Sequence, residues 1–125
     1  DPYCKLSMPA GLDTGGKQSG KAIKHKSRVV DKTLNPEWNE TFEFVGVKES
    51  GVLTVECYDR DVAMMGMGKS KDALGVIEVN VMEDVVKAAT ANEWGLTEVE
   101  REFALVGDKT ITGTVTMKLI WQPFA

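Results

Sequence analysis

Polar and apolar residues alternate with a period of two along most of this chain, and no other feature restricts its fold as strongly. Cys4, Leu6 and Met8 share one side of the run Tyr3 to Met8, and Leu53, Val55 and Cys57 share one side of the run Leu53 to Tyr58. Val115, Met117, Leu119 and Trp121 do the same between Thr114 and Trp121, and Trp38, Phe42 and Phe44 between Trp38 and Phe44. Runs at 24–29, 74–81 and 103–106 bring the expected strands to seven, with Pro9 and Leu34-Asn35-Pro36 as stops and Gly75 marking a bulge or close approach. One segment departs from this rhythm. Apolar residues at 82, 85, 86 and 89 have helical spacing and predict one short helix near 82–92. The expected class is all-β, an antiparallel sandwich. At 125 residues the chain has room for one domain, 1–125, whose core needs neither disulfides nor a structural metal.

The formal net charge of −4 is unevenly distributed. Residues 1–32 carry seven bases and three acids, for +4, whereas residues 33–125 carry eight bases and sixteen acids, for −8. A basic patch on an acidic body disfavours general nucleic-acid binding and suits attachment to an anionic surface through one face. Cys4 and Cys57 are too few for a disulfide framework. They read as reduced core thiols of a cytoplasmic protein, and their similar distance from Asp1 and Asp59 makes them candidate neighbours. With His25 the only histidine and no nucleophile and base at a sensible spacing, the chain reads as a binding module, not an enzyme.

Three groups of residues could carry chemistry. Asp59 and Asp61, at i and i+2 on the end of a strand, point to one loop mouth that Asp72 closes, a hard-oxygen set suited to Ca²⁺. Spacing alone leaves this open against three solvated surface acids. Lys24, Lys26 and Arg28 leave one face of their strand as a basic stripe, either a lipid-headgroup surface or a solvated face. Met64, Met65 and Met67 lie among glycines beside Lys69 and Lys71, a composition suited either to shallow insertion under lipid headgroups or to a mobile tip. The overlapping A-M-M-G-M-G-K-S at 63–70 satisfies a relaxed phosphate-loop pattern. A strand-like sequence follows it where a phosphate loop opens a helix, so nucleotide binding is discounted.

Four motifs in order, Asp1-Pro2-Tyr3-Cys4-Lys5-Leu6, Lys32-Thr33-Leu34-Asn35-Pro36-Glu37-Trp38-Asn39-Glu40-Thr41-Phe42, Tyr58-Asp59-Arg60-Asp61 and Asp72-Ala73-Leu74-Gly75, resemble the C2 domain family. The family comprises calcium-dependent lipid-binding sandwiches like those of protein kinase C and synaptotagmin. The resemblance implies an eight-stranded sandwich of phospholipase C-like topology. The family's first strand, with its first aspartate, would precede Asp1, so the domain is expected to be N-terminally incomplete and to have a vacant edge open to self-association. It implies Asp1, Asp59, Asp61 and Asp72 as Ca²⁺ ligands. It also implies Tyr3, Lys5, Lys26, Arg28 and Trp38 as parts of a phosphoinositide-binding groove. The loop between Asp61 and Asp72 is longer than the family's common form and would carry Met64, Met65 and Met67 towards a membrane, with Lys69 and Lys71 at the headgroups. The expected function is calcium-dependent binding to anionic phospholipid membranes as a targeting module of a larger protein, cytoplasmic and peripherally membrane-associated. The alternative is a calcium-independent protein-interaction domain with a protein partner.

Overall fold

The computed structural model describes residues 1–9, 22–30, 36–45, 47, 50–62, 69–107 and 113–123, and at 61, 62 and 69–72 the backbone alone. Its strands are β1 (Pro2–Met8), β2 (Ile23–Lys26), β3 (Val52–Val62), β4 (Lys69–Asn80), β5 (Thr97–Ala104) and β6 (Thr114–Trp121). Every ladder is antiparallel. Four strands form one sheet in the order β2-β1-β3-β4, and β5 pairs with β6 in a second. Val76 and Val106 exchange hydrogen bonds of 2.9 Å, which tie the end of β5 to the outer edge of β4.

The alternation in the sequence becomes the two faces of these sheets. Cys4 and Met8 of β1, Leu53, Val55 and Cys57 of β3, and Ile77 and Val79 of β4 are buried in one cluster with Phe103 of β5. Val115, Met117, Leu119 and Trp121 of β6 pack against that cluster from the other sheet. This is an antiparallel β-sandwich whose inner layers interdigitate. Val55 and Val79 are the most completely enclosed, each 1% exposed. A bulge between Cys57 and Tyr58 lets Leu74 slip out of register, and Gly75, at φ 130°, supplies the backbone conformation that a side chain would resist. Of the bulge or close approach expected at Gly75, the structure shows the bulge.

Three elements differ from expectation. In the run at 38–44 Trp38, Phe42 and Phe44 are half-buried and the residues between them exposed, but it joins no ladder among the described residues. Asn39 adopts φ 50°, a left-handed conformation that interrupts an extended chain, and the segment is held instead by side chains. His25 Nε2 lies 2.9 Å from the Glu43 carbonyl oxygen, and its ring packs on Phe42 and Phe44. The helix expected at 82–92 is one π-helical turn, Val81–Val86, closed by the Lys87 amide donating to the Met82 carbonyl at 2.9 Å. Asn80 caps it through the Glu83 amide, and Val81 and Val85 enter the core. The chain then turns at Asn92, whose side chain accepts from the Trp94 and Leu96 amides, leaving no room for further helix. Finally, the strand expected at 103–106 begins earlier, at Thr97. No helix of the described residues is long and apolar enough to cross a membrane.

Candidate functional site

The outer face of the four-stranded sheet follows directly from its register. Lys26, Lys5, Glu56 and Val76 form one cross-strand row; Lys24, Ser7, Thr54 and Glu78 form the next on one side, and Tyr3, Tyr58 and Ala73 on the other. The Tyr3 and Tyr58 rings stack with centroids 5.5 Å apart. The Lys26 ammonium lies 4.8 Å from the Tyr3 centroid, and the Lys5 ammonium 5.4 Å from that of Tyr58. Two lysines thus sit over two electron-rich rings, and together these groups cover Tyr3 until only 4% of it is exposed. Glu56 accepts the Tyr58 hydroxyl proton in a hydrogen bond, which pushes the Tyr58 phenol up to about 12 and keeps it neutral. The arrangement offers exposed ammonium groups at fixed positions on a rigid aromatic base.

The structure brings together only part of the basic set. Lys5, Lys24 and Lys26 share the face with Tyr3. Arg28 lies beyond the end of β2, where its guanidinium donates to the Trp38 carbonyl at 2.7 Å and its amide to Glu40. Trp38 is elsewhere again: its side chain packs against the core and its indole N–H donates to the Pro2 carbonyl at 3.3 Å. The aromatic partner of Tyr3 is Tyr58, the last residue of the alternating run Leu53 to Tyr58, a position that by itself names no partner. The signal that could have found it was parity, because Tyr58 falls on the opposite side of β3 from Cys57.

At one end of the same sheet the core-facing side changes from apolar to acidic. Val55 and Cys57 give way to Asp59 along β3, and Asp59 pairs in register with Asp72 of β4 and with Pro2 of β1. Asp61 stands one further step out, opposite Ser70. Asp1 joins them because the Arg60 amide donates to its carbonyl at 3.0 Å, and its amino group reaches Asp59 Oδ1 at 2.7 Å. The backbone therefore gathers Asp1, Asp59, Asp61 and Asp72 at one end, while the side chains of Asp61 and Asp72 lie outside the described residues. Among the described side chains no three potential ligands converge on a metal position. Carboxylate oxygens are hard donors, and a set of them fits a hard cation such as Ca²⁺ better than a soft one.

The β3–β4 ladder continues out to Val62 opposite Lys69. The long loop expected between Asp61 and Asp72 is thus a strand hairpin with a shorter connection. Lys69 and Lys71 occupy strand positions, Lys71 opposite Arg60, and β4 rather than a helix follows the phosphate-loop-like run. Met64, Met65 and Met67 lie outside the described residues.

The second sheet has the opposite electrostatic character. Glu98, Glu100 and Glu102 are exposed along β5; Lys118 of β6 bridges to Glu98 at 2.7 Å, and Arg101 of β5 lies 3.7 Å from Asp84. Basic and acidic faces therefore lie on different sheets of the sandwich.

Residues 1–96 match the family model for the C2 domain. The chain is 32% identical over 123 residues to mouse extended synaptotagmin-3, an alignment covering 97% of this chain and 10% of that protein. It is 35% identical over 88 residues to rabphilin-1 of Caenorhabditis elegans, covering 66% of this chain and 7% of the relative. It is also 30% identical over 104 residues to a calcium-dependent lipid-binding protein of Arabidopsis thaliana, covering 82% and 19% respectively. The chain thus spans less than a fifth of the length of these curated relatives. No solved structure matches it. With the motifs, the sandwich and a family match over more than three-quarters of its residues in agreement, the chain belongs to the C2 domain family.

Proposed function

We propose that this domain attaches a larger protein to anionic phospholipid membranes in response to calcium, at the cytoplasmic face of the membrane. The observation that carries the reading is the juxtaposition, on one sheet, of the Lys5–Lys26–Tyr3–Tyr58 face and an end whose backbone carries Asp1, Asp59, Asp61 and Asp72. Asp1, Asp59, Asp61 and Asp72 would hold Ca²⁺. Bound there, the ion would supply positive charge that cancels their repulsion of lipid phosphate. Lys5, Lys24 and Lys26 supply ammonium donors to headgroup phosphates, multiply phosphorylated inositol lipids included. Arg28 adds charge at the rim, and Met64, Met65 and Met67, with Lys69 and Lys71, are the further residues this reading assigns to the membrane. Segregated charge orients the domain, since the β5–β6 face with its three glutamates is repelled by the surface that attracts β1 and β2.

Support for a membrane role comes also from the Arabidopsis relative, whose name describes calcium-dependent lipid binding. The deciding experiment is a calcorimetric titration with CaCl₂, with and without vesicles of phosphatidylserine and phosphatidylcholine. Calcium binding that tightens in the presence of the anionic vesicles, and is lost in Asp59→Asn/Asp72→Asn, is the expected result. Binding to vesicles unchanged by chelator would instead favour a calcium-independent module, and no vesicle binding at all would favour a protein partner.

A further inference from the structure

Cys4 and Cys57 occupy directly opposed positions of the β1–β3 ladder, both buried, with their sulfurs 3.1 Å apart. The class of this pair follows from the hydrogen bonds of Cys4. Its carbonyl accepts from the Ser27 amide at 2.8 Å and its amide donates to Ser27 Oγ at 2.8 Å. Both main-chain groups thus point away from β3, so Cys4 and Cys57 form a non-hydrogen-bonded pair, the class with the closer Cα atoms and side chains. The typical spacing of about 4.5 Å between such Cα atoms falls inside the range that a disulfide spans. The two sulfurs need approach each other by only about 1 Å to reach bonding distance.

We propose that Cys4 and Cys57 are a redox modification site, which hydrogen peroxide converts from two thiols to a disulfide linking β1 to β3. The hydrogen bond between the two thiols leaves either sulfur able to attack first. One of them, as its thiolate, attacks one peroxide oxygen, the O–O bond breaks, and the departing hydroxide takes up the proton that this thiol had lost. The second sulfur then attacks the sulfur of the sulfenic acid so formed. The S–O bond breaks, and hydroxide leaves with the second thiol's proton as water. In sum two thiols and one hydrogen peroxide give one disulfide and two waters, the sulfurs losing two electrons and the peroxide oxygens gaining them.

Access comes from the β2 side. The β1–β2 ladder covers only Lys5 to Met8, so beside Cys4 the neighbouring chain is Ser27, past the end of β2. Breaking the two Ser27 hydrogen bonds opens Cys4 to an oxidant little larger than water without unpairing β1 from β3. The bridge would join positions 53 residues apart, and so would restrict the unfolded chain strongly while demanding little of the folded one.

The test treats the folded domain with hydrogen peroxide and reads intact mass, thiol content after denaturation, and a peptide map under non-reducing conditions. The expected result is a mass lower by about 2 Da, both thiols lost together, and a peptide joining Cys4 to Cys57. Oxidised protein should melt several degrees higher than reduced protein, with dithiothreitol reversing both changes. Cys57→Ser should show neither the loss of about 2 Da nor the linked peptide under the same treatment. The wild-type mass and peptide map stand even if that variant fails to fold. Disulfide-linked dimers, a mass increase from added oxygen, or two thiols that survive until the protein is unfolded would overturn the proposal.

Discussion

The lysines of the aromatic face permit a prediction that separates local geometry from overall charge. Lys5 and Lys26 are cross-strand partners, each placed over a tyrosine ring, at 5.4 and 4.8 Å. A lysine close to an anionic membrane contributes about 1 kcal/mol, so Lys5→Ala/Lys26→Ala removes about 2 kcal/mol of binding, or about 30-fold in affinity. The loss should shrink as salt rises, because the screening length falls from about 10 Å at 0.1 M to about 3 Å at 1 M. Lys118→Ala supplies the internal control. It deletes the same single charge as Lys26→Ala alone, but from the other sheet, where Lys118 is engaged with Glu98, and is expected to leave vesicle binding within about twofold of wild type. The assay is co-sedimentation with phosphatidylserine vesicles containing a multiply phosphorylated inositol lipid, at two salt concentrations, with circular dichroism to verify folding. The double variant also loses two cation–π contacts and should melt a few degrees lower, each contact contributing about 0.5–1 kcal/mol. Equal losses for Lys118→Ala and Lys26→Ala would refute the assignment of this face, and so would a double variant that binds as well as wild type.

Other expectations follow from individual contacts. Tyr58 is raised from 10.0 to about 12 by its hydrogen bond to Glu56, so the stabilisation from that bond is complete below about pH 10 and is lost as pH rises through about 12. Ultraviolet titration of Glu56→Gln should find the phenol ionising at lower pH, and the same variant, having lost a negative charge beside Lys5, should bind anionic vesicles more tightly; an unchanged phenol titration would exclude this contact. Val55→Ala, at a position 1% exposed, should cost about 2–3 kcal/mol from lost apolar burial and the cavity left behind, measured by urea unfolding. Among the described residues β6 has a strand partner only in β5, and Ile120 on it is 56% exposed, so association through that edge should increase sedimentation coefficients with concentration. A single monomeric species over the full range would dismiss it.

What the sequence determined by itself is the side of each strand that is buried. Alternation assigns Cys4, Leu6 and Met8, then Leu53, Val55 and Cys57, then Val115 to Trp121, to inner faces, because a pleated strand turns successive side chains to opposite sides whatever its partners. It also singles out Gly75 as a bulge or a close approach, and the register shift and the φ of 130° show the bulge. Apolar spacing at 82, 85, 86 and 89 shows that the chain leaves strand geometry there. It does not fix how far the turn runs, which the Asn80 cap and the Asn92 turn decide. The run at 38–44 looks like a strand because Trp38, Phe42 and Phe44 alternate, but a ladder also needs a partner, and among the described residues it has none, while Asn39 at φ 50° interrupts its extended backbone.

Pairing was decided only by the tertiary structure. Alternation says that Tyr3 and Tyr58 both face outward and that Cys4 and Cys57 both face inward. Register alone makes each of these a direct pair, and so places Asp59 opposite Asp72 and Lys5 between Lys26 and Glu56. It also separates Arg28 and Trp38 from the lysine face, the first drawn to a carbonyl and the second to the core. The physical reason is range. Which side a residue takes is a local property of two neighbouring dihedrals, whereas which residue it meets depends on how strands more than fifty positions apart align their hydrogen bonds, and that is settled by packing the whole core at once.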